Sequence, residues 1–123
     1  MSHTLTVETK FVDPEAIRAT VAEMKLPAVN QQPENITMFD GKKVFGYRVQ
    51  LPNWNYPVAI DARTGELSYD NYNGSWGKQE HLDKFTQLYD TNATQLAAEA
   101  LGYMVSREYH SNGTIELTAT IHG

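Results

Sequence analysis

Four histidines supply the side chains whose ordinary pKa lies nearest neutrality, so they come first as acid–base candidates. His81 is the best placed, between Glu80 and Asp83 at the expected start of a helix. A carboxylate steadying its imidazole would make a general acid–base pair. The same residues also describe a solvated first turn, where Glu80 and Asp83 favour the positive end of the helix and Glu80 reaches Lys84. His3 and His122 sit near the ends and His110 flanks a turn, so the histidines are scattered and no metal site is expected. There is no cysteine, which removes thiol catalysis, zinc fingers and disulfides together. No phosphate-binding loop, dinucleotide glycine fingerprint or nucleophile elbow occurs, so neither catalytic residues nor a cofactor are assigned.

Aromatic loops are the most unusual feature. Asn53-Trp54-Asn55-Tyr56 and the run Tyr69, Asp70, Asn71, Tyr72, Asn73, Gly74, Ser75, Trp76 mix rings with short amides. Rings give contact area at low entropic cost, and such mixtures suit binding surfaces. Trp54, Tyr56, Tyr69, Tyr72 and Trp76 are therefore the candidate binding residues, for a protein partner or a second copy of the chain. The competing reading is that Trp54 and Trp76 plug the ends of a small core while the Asn residues make turns. A small-molecule reading, with a ring stacking on a nucleobase, would need Arg48, Arg63 or Lys78 to neutralise phosphate, and no spacing gathers them.

Composition bounds the rest. The chain has 123 residues, 41% apolar and 20% charged, with a net charge of −5. That describes a single domain with one core and disfavours double-stranded nucleic acid as a ligand, because no basic stripe is present. No apolar run approaches a membrane span, and the opening MSHTLTVETK lacks the apolar segment of a signal peptide, so a cytoplasmic location is expected. The triplets at Asn35, Asn73, Asn92 and Asn112 then read as turn chemistry rather than glycan acceptors.

The elements that must carry these residues follow from periodicity. Leu5, Val7, Thr9 and Phe11 alternate as a strand. Asp13 and Pro14 open a short helix with Ile17, Val21 and Met24 inward, Val12 stapled onto Ile17, and Pro27 beyond its end. Residues 36–39 and 44–51 flank Asp40-Gly41, a two-residue turn that would set Ile36 opposite Phe45 and put Phe45, Tyr47, Val49 and Leu51 on one face. A four-residue loop 62–65 pairs Ile60 with Leu67 and Val58 with Tyr69. Leu82, Phe85, Tyr89, Ala93, Leu96 and Ala100 form one helical stripe capped at Gly102, with residues 90–92 the one place it could break. The last hairpin needs a three-residue loop, Ser111 to Gly113, to align Tyr109 with Ile115, Val105 with Ala119 and Tyr103 with Ile121. The order is β-α-β-β-β-β-α-β-β: an α+β domain with one antiparallel sheet and both helices on one face.

In this arrangement an opening Met1-Ser2-His3, the helix Leu82-Asp-Lys-Phe-Thr-Gln-Leu-Tyr89 and Leu101-Gly102-Tyr103 before the final hairpin resemble the domain of unknown function 1257 family, small plastid, cyanobacterial, bacterial and phage proteins. The family helix reads threonine-glutamine-arginine-tyrosine-alanine-tyrosine. Thr86, Gln87 and Tyr89 match it, while Leu88 and Thr91 stand where the family has arginine and the second tyrosine. The resemblance implies the architecture and a bacterial or phage cytoplasmic origin. It implies no mechanism, because the family has no established activity. The function expected is thus a non-enzymatic interaction module, ahead of a small-ligand binder and of an enzyme built on His81.

Overall fold

The computed structural model describes residues 5–7 and 9–121; His3 and His122 lie outside them. The elements follow the expected order: β1 Leu5–Val7, α1 Pro14–Glu23, β2 Glu34–Thr37, β3 Lys43–Val49, β4 Val58–Asp61, β5 Glu66–Tyr69, α2 Gln79–Ala100, β6 Tyr103–Tyr109 and β7 Ile115–Ile121. All strand pairings are antiparallel, and the fold is α+β. Five strands make the main sheet in the order β1-β5-β4-β3-β2. The one architectural difference from the expectation is that β6 and β7 form a sheet of their own.

Strand β1 is shorter than the alternation suggested, but the chain stays near β5, with the Phe11 amide donating to the Gly65 carbonyl at 2.9 Å. Asp13 caps α1, its Oδ1 accepting from the amides of Glu15 and Ala16. Val12 does not close a buried staple: it is more than half exposed. The helix ends without glycine. Lys25 takes the left-handed conformation (φ 57°), and Leu26 donates back to Val21 across the turn. Helix α2 runs unbroken through residues 90–92, and Gly102 follows it at φ 93°.

One core lies between the main sheet and the helices. Val49, Val58, Ile60 and Leu67 pack with Ile17 and Val21 of α1 and Leu82, Phe85 and Tyr89 of α2, with Phe11 stacked on Phe85 and tilted against Tyr89. A second, smaller cluster of Ile36, Met38 and Ala59, with Val44 against it, gathers apart from that core. Its existence follows from a register that differs from the expected one. Ile36 stands opposite Val44 and Asn35 opposite Phe45, because Phe39-Asp40-Gly41 forms a three-residue loop closed by Met38 and Lys42. Gly41 at φ 85° supplies the left-handed residue such a loop needs. Phe45 stays on the Tyr47 side of β3 but is exposed there, with the Arg63 guanidinium 5.0 Å from its ring centre.

Strand β3 serves two neighbours in succession, β2 along residues 43–46 and β4 along residues 47–49. The change-over falls at Gly46. A Cβ there would lie 1.9 Å from the Ile60 carbonyl oxygen, so the strands approach more closely than any side chain allows. Beyond the change-over the Asn30 side chain substitutes for the missing strand, accepting from the Arg48 amide and donating to the Gly46 carbonyl. The second and third hairpins have the expected registers, Ile60 with Leu67 and Tyr109 with Ile115. Of the four Asn triplets, Asn73 and Asn112 sit in turns, whereas Asn35 is in β2 and Asn92 is buried in α2. Turn chemistry therefore does not explain the latter two.

Candidate functional site

The two aromatic loops do meet, and they divide the rings into two sets. Trp54 belongs to the core: it is 4% exposed, its ring lies flat on Gly77, where a Cβ would come within 2.4 Å, and its Nε1 donates to the Lys78 carbonyl at 3.1 Å. Tyr69, 5.9 Å from Trp54 between ring centres, is half-buried against the same core. These two residues are removed from the candidate surface. Their position is the core-plug alternative, realised for Trp54.

Tyr56, Tyr72 and Trp76 face outward together. Trp76 is the hub, 5.2 Å from Tyr56 and 4.8 Å from Tyr72 between ring centres. A fourth ring joins them that the loop composition did not include: Phe39, 4.5 Å from Trp76 and 5.3 Å from Tyr56. Phe39 reaches the cluster because the three-residue loop takes it out of β2. The signal that could have found it was the choice between two- and three-residue closure of that turn. The tilted, edge-on arrangement is the one ring quadrupoles favour. The cluster keeps much of its surface in water, with Phe39 45%, Tyr56 36% and Tyr72 42% exposed.

The supporting loop is tied down from below. Buried Asn71 accepts the Trp76 amide through its carbonyl, and its side chain donates to the Gly77 carbonyl and to Gln79. The Asp70 carboxylate accepts from the Tyr72 amide at 2.9 Å. Asn55 donates to the Trp76 carbonyl at 2.8 Å and so joins the two loops. Above this frame Tyr72 and Asn73 both adopt left-handed φ angles, 47° and 53°. A bulky ring in that region is strained, and the frame is what holds it there.

Among the described residues no acid–base pair forms around His81. Its Nδ1 is buried without a hydrogen-bond partner, Glu80 lies 3.9 Å from Lys78 Nζ, and Asp83 accepts from Gln79. The cations that a nucleotide would need are each beside a carboxylate. Arg48 is 3.2 Å from Glu34, and Arg63 is 3.1 Å from Asp61 while lying over the Phe45 ring. The Arg63 side-chain hydrogen bond, reinforced by its backbone amide and charge, outweighs burial and holds the Asp61 carboxyl below its ordinary range.

Among the described residues, the group that could hold a metal ion is Glu108, His110 and Glu116, whose ligand atoms lie within 4.8 Å of one another. Hairpin register makes it, by setting Glu108 opposite Glu116, so His110 is not isolated as its sequence position suggested. His110 Nε2 is 3.4 Å from Glu116, and both side chains are open to solvent. A groove of about 760 Å³ runs between α2 and the last hairpin, edged by Glu23, Glu80, Asp83, Ile115 and the same His110.

A polar network not foreseen from the sequence borders that groove at Glu23 and Tyr109. Arg107 donates to both Glu23 oxygens at 3.1 and 3.2 Å, to Gln95 at 2.6 Å, to Tyr109 and to Asn92. Asn92, 6% exposed, in turn donates to Thr20 at 3.0 Å and to Glu23. The network joins α1, α2 and β6 and so clamps the last hairpin to both helices. Among the described residues no helix is long and apolar enough to cross a membrane.

No protein-family model, curated protein or solved structure matches the chain.

Proposed function

We propose that this domain is a non-enzymatic interaction module that captures a protein partner through the ring cluster of Phe39, Tyr56, Tyr72 and Trp76. The observation that carries the reading is the contiguity of four partly exposed rings on a loop frame hydrogen-bonded from beneath. Clustered exposed rings are where interface energy concentrates, since each buries a large area while losing few rotamers. Strain at Tyr72 supports the same reading: a turn needing only stability would place Gly or Asn there. A cytoplasmic placement goes with this reading. The resemblance to the domain of unknown function 1257 family is consistent with this placement.

The small-ligand reading has less behind it, because Arg48, Arg63 and Lys78 each sit beside a carboxylate. An enzyme based on His81 has less again, since neither Glu80 nor Asp83 steadies the imidazole.

The test is capture of proteins from the source cell's lysate by the immobilised wild type and by Tyr56→Ser/Trp76→Ser. Specific capture by the wild type and its loss in the variant, with unchanged circular dichroism, is the expected result. An identical set of captured proteins rejects the surface. Stabilisation by nucleotides in a thermal-shift screen, abolished in the same variant, would put the small-ligand reading first.

A further inference from the structure

We propose that the outer edge of β7 recognises itself, pairing antiparallel with β7 of a second copy about Thr118 so that two hairpins join into one four-stranded sheet. Among the described residues nothing pairs with that edge, and β6 and β7 stand as a two-stranded sheet. Such ribbons are marginal until they gain strands or cover. Natural edges are blunted by Pro, Lys, bulges or short length. β7 runs Ile115 to Ile121 as IELTATI, unbroken for seven residues, with Glu116 as its single charge.

The direction of its backbone groups can be read from the turn. The His110 amide donates to the Thr114 carbonyl, so these two residues form a hydrogen-bonded pair, and such pairs alternate along the ladder. Glu116, Thr118 and Thr120 therefore point their amides and carbonyls at β6. Ile115, Leu117, Ala119 and Ile121 point theirs outward, which places every unpaired edge group on an apolar residue.

Antiparallel pairing centred on Thr118 sets Ile115 opposite Ile121, Leu117 opposite Ala119, and Glu116 opposite Thr120 of the second copy. Each outward amide and carbonyl along the strand then meets a complementary one. Apolar residues meet apolar residues on one face, and the two Glu116 carboxylates are kept apart on the other. Burial is complementary as well. Ile115 and Leu117 are half-covered, while Ala119 is exposed and Ile121 is 71% exposed. Reversal brings the uncovered half of one strand beside the covered half of the other. The outer edge of β6 is a poorer choice: centred on Ser106, it would place Val105 opposite Arg107, whose guanidinium is committed to Glu23, Gln95 and Asn92.

Sedimentation velocity on the purified full chain, from micromolar to millimolar, tests the pairing. The wild type is expected to pass from monomer to dimer. Ala119→Pro removes only an outward amide and is expected to remain monomeric with an unchanged far-ultraviolet spectrum. Ile121→Lys, at an already exposed position, is expected to do the same and stands in should the proline perturb the hairpin. Amide exchange at Leu117 and Ala119 is expected to slow as concentration rises, with Thr118 slow throughout. A wild type monomeric over the whole range overturns the proposal, as does a dimer that survives both variants. A dimer lost in Tyr56→Ser/Trp76→Ser also overturns it, and would assign self-association to the rings instead; failure of the ring surface to capture partners leaves the β7 edge standing.

Discussion

Trp54 and Trp76 show how much one position can differ from another of the same type. Both lie in loops rich in Asn, yet one is sealed on Gly77 and the other is shared with solvent. Trp54→Ala is expected to lower stability by about 3–5 kcal/mol, the range for emptying a large buried ring site. Trp76→Ala is expected to cost about 1 kcal/mol, that of lost ring-edge contacts. Urea denaturation of the two single variants checks the contrast, and similar losses would contradict the division of the rings. Composition revealed that rings were concentrated here. It did not reveal which would be buried, because that depends on Gly77 approaching from a segment more than twenty residues away. Tyr72 adds a second expectation at this scale. Tyr72→Gly relieves a left-handed backbone that costs a side chain about 1 kcal/mol, so its melting temperature is expected to equal or exceed the wild type's while partner capture falls.

At the scale of elements, hairpin registers were legible wherever the apolar residues on both strands had to coincide. Ile60 with Leu67 and Tyr109 with Ile115 each leave one face apolar, and a slip by one residue would reverse it. The first hairpin escaped this logic. Its strands bury one face in part and change pairing partner at Gly46, so Ile36 with Val44 and Ile36 with Phe45 both look apolar. The helix ends were legible for the same kind of reason, Asp13 and Pro14 being strong local signals, while Lys25 in a glycine's conformation gave none. Gly46→Ala tests the close approach of β3 and β4 there. With backbone at 1.9 Å from the added carbon nothing flexible can give way, and a loss of about 3 kcal/mol or more is expected on thermal or chemical denaturation. The second hairpin carries a pH signature. The folded-state pKa of Asp61 lies below its ordinary 3.8, so the stability it contributes is present above that value and is lost as pH falls through the folded value. Relative to Asp61→Asn, the wild-type advantage is expected to be within about 1 kcal/mol at neutral pH, because Arg63 is largely exposed. It is expected to fade below about pH 4. An advantage that persists in acid would mean the carboxylate is not what Arg63 holds.

Across the whole molecule, the question is how the last hairpin stays in place when, among the described residues, it shares no strand pairing with the main sheet. Contact with α2 covers one side of it, but β7 is half uncovered and the ladder alone is too small to persist. The Arg107 clamp supplies the difference. It ties β6 to Asn92 and Gln95 of α2 and to Glu23 at the end of α1. Burial would by itself lower the Arg107 pKa, but hydrogen bonds with Tyr109 and Glu23 outweigh it and hold the guanidinium above its ordinary value. None of this was legible in the sequence. Glu23 and Arg107 are more than eighty residues apart, and Asn92 read as a helix breaker because its buried partners lie on other elements. Arg107→Ala should therefore do two separable things. Removing the guanidinium leaves buried Asn92 short of a donor, at an expected cost of about 2 kcal/mol. The cost should also fall unevenly, since a hairpin held to the helices by this clamp, a Gln87–Gly113 hydrogen bond at 2.8 Å and partial cover opens before the core does. Native-state hydrogen exchange is expected to show the β6–β7 amides losing protection by about thirty-fold, the equivalent of that cost, while β3, β4 and β5, whose protection tracks global stability, lose clearly less. If all amides instead lose protection equally, the hairpin and the main sheet unfold as one unit, and the clamp is only part of a common core.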